Sequence, residues 1–247
     1  MNDRRSQVLA AIVEEYTRTA IPVGSQLLIE RYGFDVSSAT LRNDMLALEQ
    51  AGYLYQPHTS AGRIPTDEGF RLYVEEIMPD EALSIAEQKR LQKELLILRA
   101  KHARLGRSTA KLLSTLSGNL AVTGLADRSE LYDFGMKELL GNPEFRDLDE
   151  MCRLVEALDS LDDRFDAILR ELGTEETRIF IGKENPIAEI SNCSMMVTPY
   201  QSEEGQGILA IIGPKRMKYA KNKSLLEHMR KLLGSSLVIA IIFIPMA

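Results

Sequence analysis

The chain has 247 residues, of which 45% are apolar, 27% charged and 6% aromatic, so its composition is that of a soluble protein with one large domain or two smaller ones. Its net charge of −6 excludes binding to nucleic acid through a broadly basic surface. The two cysteines, Cys152 and Cys193, and the three histidines are scattered along the chain, so we expect no metal site, no disulfide framework and a reducing cytoplasm.

Two helices are predicted at the N-terminus. Residues 3–18 carry apolar side chains at helical spacing, and residues 21–24, with the sequence IPVG, end that helix. A second helix runs from Ser25 to Gly33. The N–H groups at its start, at Ser25 and Gln26, are suited to bind a phosphate, and a plain N-cap is an equally good interpretation.

A third predicted helix has two distinct faces. Ser37 and Ser38 are both suitable N-cap residues, and Gly52 is placed for a left-handed C-cap. One face is apolar, with residues at i, i+4 and i+7: Leu41, Met45 and Leu48. The opposite face presents Arg42 and Asn43, whose side chains pair with guanine and adenine, respectively. The sequence therefore predicts a helix that reads DNA.

The segment after this helix has the pattern of a short β-ribbon. Residues 53–56 form a strand signal, residues 57–62 a turn cluster, and residues 63–65 return from it. Thr66 can cap a following helix. A helix followed by a two-stranded ribbon with a polar, basic tip is the layout of a winged helix-turn-helix, and the alternative is an ordinary α+β element with a polar surface.

The helix that begins at Thr66 ends before Pro79, so we predict a DNA-binding domain over residues 1–78 and a second domain over residues 79–247. Residues 80–118 then predict one long helix. Leucines recur in it every seven residues: Leu91, Leu98, Leu105 and Leu112. Such a repeat indicates a core helix of the second domain, a helix that packs along a partner in a dimer, or both.

The rest of the second domain mixes strands with acidic helices. Four strands are predicted: Leu120–Leu125, Thr177–Ile181, Cys193–Tyr200 and Ile208–Ile212. Four helices are predicted, around Ser129–Leu140, Leu148–Leu158, Asp162–Leu172 and Ser224–Leu233. Residues 127–176 contain sixteen acidic and six basic residues, which favours a solvated helical surface over a docking surface for a basic partner.

Two loops, GKENP at residues 182–186 and GPKRM at residues 213–217, place glycine near lysine. Neither matches a phosphate-binding P-loop, so we interpret both as turns. The apolar tail, residues 237–247, is too short to span a membrane and predicts a buried strand, either in the sheet or under the long helix.

Four stretches of sequence carry a resemblance to a known family: SSATLRNDM, LEQAGYLYQPHTSAGRIPTDEGFRLYV, IGKENPIAEISNCSMMV and GILAIIGPKRMKYAK. They resemble the HrcA family of heat-inducible transcription repressors, and together they cover residues 1–78 and residues 177–222. The resemblance implies a homodimer that binds the CIRCE inverted-repeat operator upstream of chaperone genes. It also implies a chaperonin partner, GroEL, that keeps the repressor active until heat stress diverts it.

The resemblance further implies three parts: an N-terminal winged helix, a GAF-like domain and an inserted dimerisation domain. The family's members are usually longer than this chain. The strand-rich centre of the GAF-like domain has no clear counterpart between Val122 and Glu176. The predicted fold class is therefore α+β, with an N-terminal winged helix-turn-helix domain followed by a reduced GAF-like α+β domain with a long helix.

The leading interpretation is a sequence-specific repressor that binds double-stranded DNA, with no enzymatic activity, no cofactor and no membrane association. No nucleophile–base pair, metal cluster or phosphate loop stands out in the sequence. The alternative is a winged-helix regulator controlled by a small ligand in its C-terminal domain. Eleven residues are the candidate DNA contacts: Ser25, Gln26, Ser37, Ser38, Thr40, Arg42, Asn43, His58, Thr59, Ser60 and Arg63.

Overall fold

The structure is a computed structural model, which describes residues 3–100, 105–125, 130–159, 177–202 and 205–234. These residues form helices, a two-stranded ribbon and a five-stranded antiparallel sheet, so the predicted α+β class is confirmed. None of the helices within these ranges is long and apolar enough to cross a membrane.

The N-terminal part is a winged helix-turn-helix. Its elements follow in chain order: α1 (Asp3–Thr19), α2 (Ser25–Tyr32), α3 (Ser38–Gln50), β1 (Leu54–Tyr55), β2 (Ile64–Pro65) and α4 (Asp67–Leu72). A π-helical turn, Tyr73–Ile77, extends α4. Strands β1 and β2 pair antiparallel, with Tyr55 opposite Ile64, and form the wing.

Local sequence signals fix the ends of these helices, as predicted. Ser37 accepts a hydrogen bond from the Thr40 N–H at 3.1 Å, and Thr66 accepts one from the Gly69 N–H at 3.0 Å. Gly52 has a φ of 83°, the left-handed conformation in which the chain leaves α3.

The C-terminal part is built on the five-stranded sheet. Its elements are α5 (Ile85–Ala100), α6 (Leu105–Ser117), β3 (Leu120–Leu125), β4 (Glu130–Phe134), α7 (Met136–Leu140), α8 (Leu148–Asp159), β5 (Arg178–Ile181), β6 (Cys193–Ser202), β7 (Gly205–Pro214) and α9 (Tyr219–Gly234). Short 3-10 turns lie at Pro143–Phe145, Gly182–Glu184 and Ala188–Ile190. The strand order is β4-β3-β7-β6-β5, and each neighbouring pair is antiparallel.

Helices cover both faces of this sheet. Because successive side chains of a strand point to opposite faces, the strands supply two apolar cores. In β7, Leu209 belongs to the core that includes α5, α6 and α9, whereas Ile208 belongs to the core of α7 and α8. The first core continues into the winged helix, where Phe70 of α4 is buried with its ring centroid 6.1 Å from that of Tyr219 in α9.

One predicted helix is wrong in its first half. The segment Ser129–Leu140 was expected to be helical, but it supplies strand β4, and the helix begins only at Met136. Side chains in β4 alternate between the two faces of the sheet. Tyr132 packs on α6 so closely that a Cβ on Gly106 would lie 2.5 Å from its ring, whereas Leu131 joins the opposite core. Strand β4 pairs with β3 and packs side chains on both faces of the sheet, and these contacts outweigh the helical tendency of the acidic residues in the segment.

Most of the remaining predictions for the C-terminal part are confirmed where the structure describes them. The segment predicted as one long helix over residues 80–118 differs: the helix begins only at Ile85, and the segment supplies two helices, α5 and α6. Leu91 and Leu112 of its leucine row are buried, in agreement with a core helix. The other predicted strands are present, and so are the helices around Leu148–Leu158 and Ser224–Leu233. Two predictions lie outside the described residues: the helix Asp162–Leu172 and the strand in the tail, residues 237–247.

Ion pairs fix the winged helix to the C-terminal part. We call the contacts of α1 and α4 with the loops 182–186 and 213–217 the joint. In the joint, Lys215 Nζ lies 2.6 Å from Asp67 Oδ1, and Arg71 Nε donates to Glu184 at 3.0 Å. Paired charges at such distances hold α4 in one orientation on the sheet.

The two glycine–lysine loops, predicted as turns, form the C-terminal side of the joint. Arg216 donates to the backbone oxygen of Thr17 at 3.2 Å and pairs with Glu144. Gly182 has a φ of 59°, and a Cβ there would lie 2.0 Å from Asp67 Oδ2. The left-handed backbone and the close approach of the Asp67 side chain both favour glycine at this position.

Candidate nucleic-acid interface

Helix α3 presents one polar face to solvent. Leu41, Met45 and Leu48 are buried in the core, whereas Arg42 and Asn43 are exposed, as predicted. Within the described part of the chain, neither of these two polar side chains forms a hydrogen bond or an ion pair. An outward-pointing guanidinium and amide on one helix face can each make a bidentate contact with a base edge.

Three hydroxyl groups lie at the N-terminus of the same helix. Ser37 is exposed, with its Oγ 2.9 Å from Thr40 Oγ1. Ser38 Oγ instead lies 2.8 Å from Ser25 Oγ and so ties the start of α3 to the start of α2. Hydroxyl groups and backbone N–H groups at a helix N-terminus are suited to phosphate oxygens.

The start of α2 differs from the prediction in one detail. Gly24, rather than Ser25, is the N-cap residue of α2. Ser25 is buried against Ser38, so its phosphate-binding capacity is restricted to its backbone N–H. Gln26 is exposed and donates to Glu30 at 2.9 Å.

The tip of the wing, residues 57–62, is held by hydrogen bonds to its own backbone. Gln56 Nε2 donates to the backbone oxygens of Thr59 at 3.0 Å and of Ala61 at 2.8 Å. His58, Thr59 and Ser60 are exposed and form the outer surface of the wing. The structure thus groups these three predicted contacts on one ordered turn.

Arg63 is placed apart from the other wing residues. Its side chain is 15% exposed, and the guanidinium donates to Glu49 of α3, through Nε at 3.0 Å and Nη2 at 2.9 Å. Its backbone also pairs with Val23 in both directions, at 2.8 Å and 2.9 Å. These contacts fasten the wing to the last turn of α3.

Sequence reasoning missed a second group of charged residues beside α3. Asp44 is buried on this helix and accepts hydrogen bonds from Arg4 Nε at 2.6 Å and Arg5 Nε at 3.4 Å. The hydrogen bond from Arg4, more than any other contact, holds the pKa of the Asp44 carboxyl below its usual value. The only signal in the sequence was the pair of consecutive arginines at the start of α1.

Comparison with known proteins identifies the family. The family model described as HrcA protein C terminal domain matches residues 79–222, which is more than half of the chain. The chain belongs to the HrcA family. The heat-inducible transcription repressor HrcA of Symbiobacterium thermophilum is 28% identical over 331 aligned positions, covering 92% of this chain and 96% of that relative. The HrcA of Synechococcus elongatus is 49% identical over 120 residues, covering 48% of this chain and 34% of that relative.

A solved structure has the same fold as this HrcA-family chain. It is a crystal structure of a hypothetical protein, with a TM-score of 0.77 and 21% sequence identity. The likeness covers 95% of this chain and 98% of the other. The two chains therefore share one fold despite their low sequence identity.

The chain is short for an HrcA. Its alignment with the protein from Symbiobacterium thermophilum spans 331 positions, whereas the chain has 247 residues, so at least 84 positions of that relative have no counterpart here.

Proposed function

We propose that the chain is a sequence-specific DNA-binding repressor of chaperone genes that releases its operator on heat stress. Its membership of the HrcA family supports the repressor role, because the relatives bear the name heat-inducible transcription repressor. The observation that carries the proposal is the exposed pair Arg42 and Asn43 on a helix whose opposite face is buried.

In this proposal α3 occupies the major groove of the operator. Arg42 pairs with a guanine and Asn43 with an adenine, since their side chains match the donor and acceptor patterns of these bases. Ser37, Ser38 and Thr40 lie at the N-terminus of α3 and contact the neighbouring phosphates, which sets the register of the helix on the duplex.

The wing supplies contacts outside the major groove. His58, Thr59 and Ser60 touch the DNA backbone or the minor groove, as their exposure permits. Arg63 contributes by holding the wing against α3 through Glu49. Next to the start of α3, the N–H groups of Ser25 and Gln26, together with the Gln26 side chain, face a phosphate.

The operator is an inverted repeat of the CIRCE type, which requires two reading heads related by a two-fold axis. We therefore assign DNA binding to residues 1–78 and dimerisation, in a GAF-like fold, to residues 79–247. The start of the family match at residue 79 supports this division. The homodimer, the control by GroEL and the cytoplasmic location come into the proposal through the resemblance to the HrcA family.

A regulator controlled by a small ligand is the second candidate, and one observation favours it. A cavity of about 410 Å³ lies between the wing and the C-terminal part, with Lys183, Lys215 and Arg216 on one side and Asp67 and Glu68 on the other. Lys215 and Asp67 already form an ion pair at 2.6 Å, so an anionic ligand would compete with a contact of the joint. Binding there would consequently alter how the winged helix is held.

The test is a gel-shift titration of the full chain with two duplexes, one carrying CIRCE and one of the same composition with scrambled half-sites. The proposal predicts a preference for the CIRCE duplex that GroEL strengthens. Equal affinity for the two duplexes would contradict operator recognition. A preference that GroEL leaves unchanged would remove the chaperonin from the proposal and favour the ligand-controlled regulator.

A further inference from the structure

The acidic N-terminal part distributes its arginines unevenly. Residues 1–78 contain seven arginines, no lysine and eleven acidic residues. Four of the arginines are paired with carboxylates away from the exposed face of α3: Arg18 and Arg31 with Glu15, Arg63 with Glu49, and Arg71 with Glu184. The other three are Arg42 on that face and the pair Arg4 and Arg5, which reaches α3 from the first turns of α1.

Arg4 and Arg5 share one buried carboxylate. Their Nε atoms lie 2.6 Å and 3.4 Å from Asp44, whose side chain is only 5% exposed. The two arginine side chains are 42% and 45% exposed, so they face solvent while the carboxylate beneath them does not.

The position of the two arginines is unfavourable for α1 itself. The first turn of a helix carries a partial positive charge, so cations there oppose the helix dipole. Helix formation alone would favour more acidic residues like Asp3 at this end. A local departure of this kind is expected where a residue serves a functional site.

We propose that Asp44 holds Arg4 and Arg5 as a phosphate clamp, which binds the DNA backbone beside the groove that α3 occupies. The clamp rests on the proposed DNA-binding function and adds two contacts to it. A guanidinium has five N–H donors, so it can bind a carboxylate and a phosphate together. The clamp supplies affinity that is independent of sequence, whereas Arg42 supplies sequence preference.

The first test measures the salt dependence of DNA binding by the full chain, using fluorescence anisotropy with a random-sequence duplex and a CIRCE duplex. Each phosphate contact contributes about 0.9 to the slope of log affinity against log salt. The double variant Arg4→Gln/Arg5→Gln should therefore lose about 1.8 from the slope on both duplexes. When the salt concentration rises from about 50 to 200 mM, the affinity of both proteins should fall, and the factor by which it falls should be about 12 times smaller for the double variant than for the unmodified chain.

A matched control exists on the same helix. Arg18 also pairs with a buried carboxylate, that of Glu15, at the other end of α1. Arg18→Gln should leave the salt slope unchanged on both duplexes. A slope reduced as much as in the double variant would show a general effect of charge and would overturn the clamp.

A second variant tests whether Asp44 positions the arginines. Asp44→Asn removes a negative charge, so arginines acting only as diffuse charge would bind the random duplex more tightly. The clamp predicts the opposite result, weaker binding to both duplexes, because the two guanidinium groups lose their ionic anchor. Tighter binding by Asp44→Asn would therefore contradict the positioning role.

The remaining outcomes separate the clamp from the proposed function. An unchanged salt slope in the double variant, together with an intact preference for CIRCE, would overturn the clamp alone. Binding of neither duplex by the unmodified chain would overturn both. If the double variant melts below the assay temperature, the triple variant Arg4→Gln/Arg5→Gln/Asp44→Asn replaces it, because it leaves no unpaired buried charge, and the same loss of slope is expected.

Discussion

Arg42 and Arg71 belong to the same winged helix, but their surroundings are opposite. Arg71 is 25% exposed, pairs with Glu184 and donates to the backbone oxygen of Ile179 at 2.6 Å, so the orientation of its guanidinium is fixed. Arg42 is exposed and, among the described residues, has no such partner. A partnered arginine maintains the geometry of the joint, whereas an unpartnered one on α3 remains available to a base edge. We therefore expect changes in the joint to alter stability, and changes on the exposed face of α3 to alter DNA binding.

The largest expected effect is in the apolar core beside the joint, where Phe70 of α4 packs on α9. Phe70→Ala removes a buried ring that packs on Tyr16 and Tyr219, and it should lower the free energy of unfolding by about 3–5 kcal/mol, measured by urea denaturation. The matched change on the exposed face of α3, Leu46→Ala, should stay within about 0.5 kcal/mol, since Leu46 is 46% exposed. Equal losses in the two variants would contradict the distinction between these regions.

Gly182→Ala should have the next largest effect. It combines an unfavourable φ of 59° with a Cβ 2.0 Å from Asp67 Oδ2, so we expect a loss of about 2–3 kcal/mol in the free energy of unfolding. Gly33→Ala is the control, because Gly33 has a φ of 67° and open space around the added Cβ. The control should lose only about 1 kcal/mol, and equal losses would mean that the contact with Asp67 adds nothing to the backbone strain.

Arg42→Ala tests the exposed face of α3 directly. It should weaken binding to a CIRCE duplex by about 1–3 kcal/mol and reduce the preference over a scrambled duplex, as gel-shift titration would measure. The thermal unfolding midpoint should stay unchanged, because Arg42 is exposed and forms no hydrogen bond or ion pair within the described residues. Arg153→Ala is the control, as Arg153 is an exposed arginine of α8 in the C-terminal part. Unchanged operator affinity in Arg42→Ala would remove this residue from base recognition.

The smallest expected effect is the pH dependence of the joint. Burial alone would raise the pKa of Glu184, but hydrogen bonds from Arg71 and from the Ile181 N–H, with the charge of Arg71, hold it below its usual value. A depressed pKa in the folded state stabilises the protein above the unfolded pKa of about 4.3, and this contribution disappears as the pH falls through the folded pKa. Because the Glu184 side chain is 41% exposed, we expect at most about 1 kcal/mol.

Glu184→Gln should accordingly reduce stability at neutral pH and flatten its decline below about pH 4.3, measured as urea midpoints across the acid range. Binding to the CIRCE duplex at neutral pH should be unaffected, because Glu184 pairs with Arg71 of α4 rather than with a residue of α3. An acid decline as steep as that of the unmodified chain would assign the pH dependence to other carboxylates, such as Asp44.

Features that depend on neighbouring residues could be predicted from the sequence. The N-caps at Ser37 and Thr66 and the two faces of α3 follow from spacings of three or four residues, and the structure contains them all. The strand Glu130–Phe134 could not, because its conformation is decided by pairing with β3 and packing on α6. Nor could the contact of Arg71 with Glu184, since 113 residues separate the two and only the folded topology brings them together.

The candidate site shows the same limit. Exposure of Arg42 and Asn43 followed from helical periodicity, which is local. Arg63 pairs with Glu49, 14 positions away, and Arg4 pairs with Asp44, 40 positions away. No rule of sequence spacing indicates such partners. Both pairings changed the interpretation of an arginine: Arg63 holds the wing in place, and Arg4 acquires a proposed role in DNA binding.

The packing of Tyr16 on Phe70 also offers an optical readout. The chain contains no tryptophan, and Tyr16 lines the cavity between the wing and the C-terminal part, with its ring centroid 6.5 Å from that of Phe70. Tyr16→Trp would therefore introduce a single indole whose fluorescence depends on its contact with water. Emission at short wavelength would indicate that the two parts are in contact, and a shift to longer wavelength on warming would record their separation in real time.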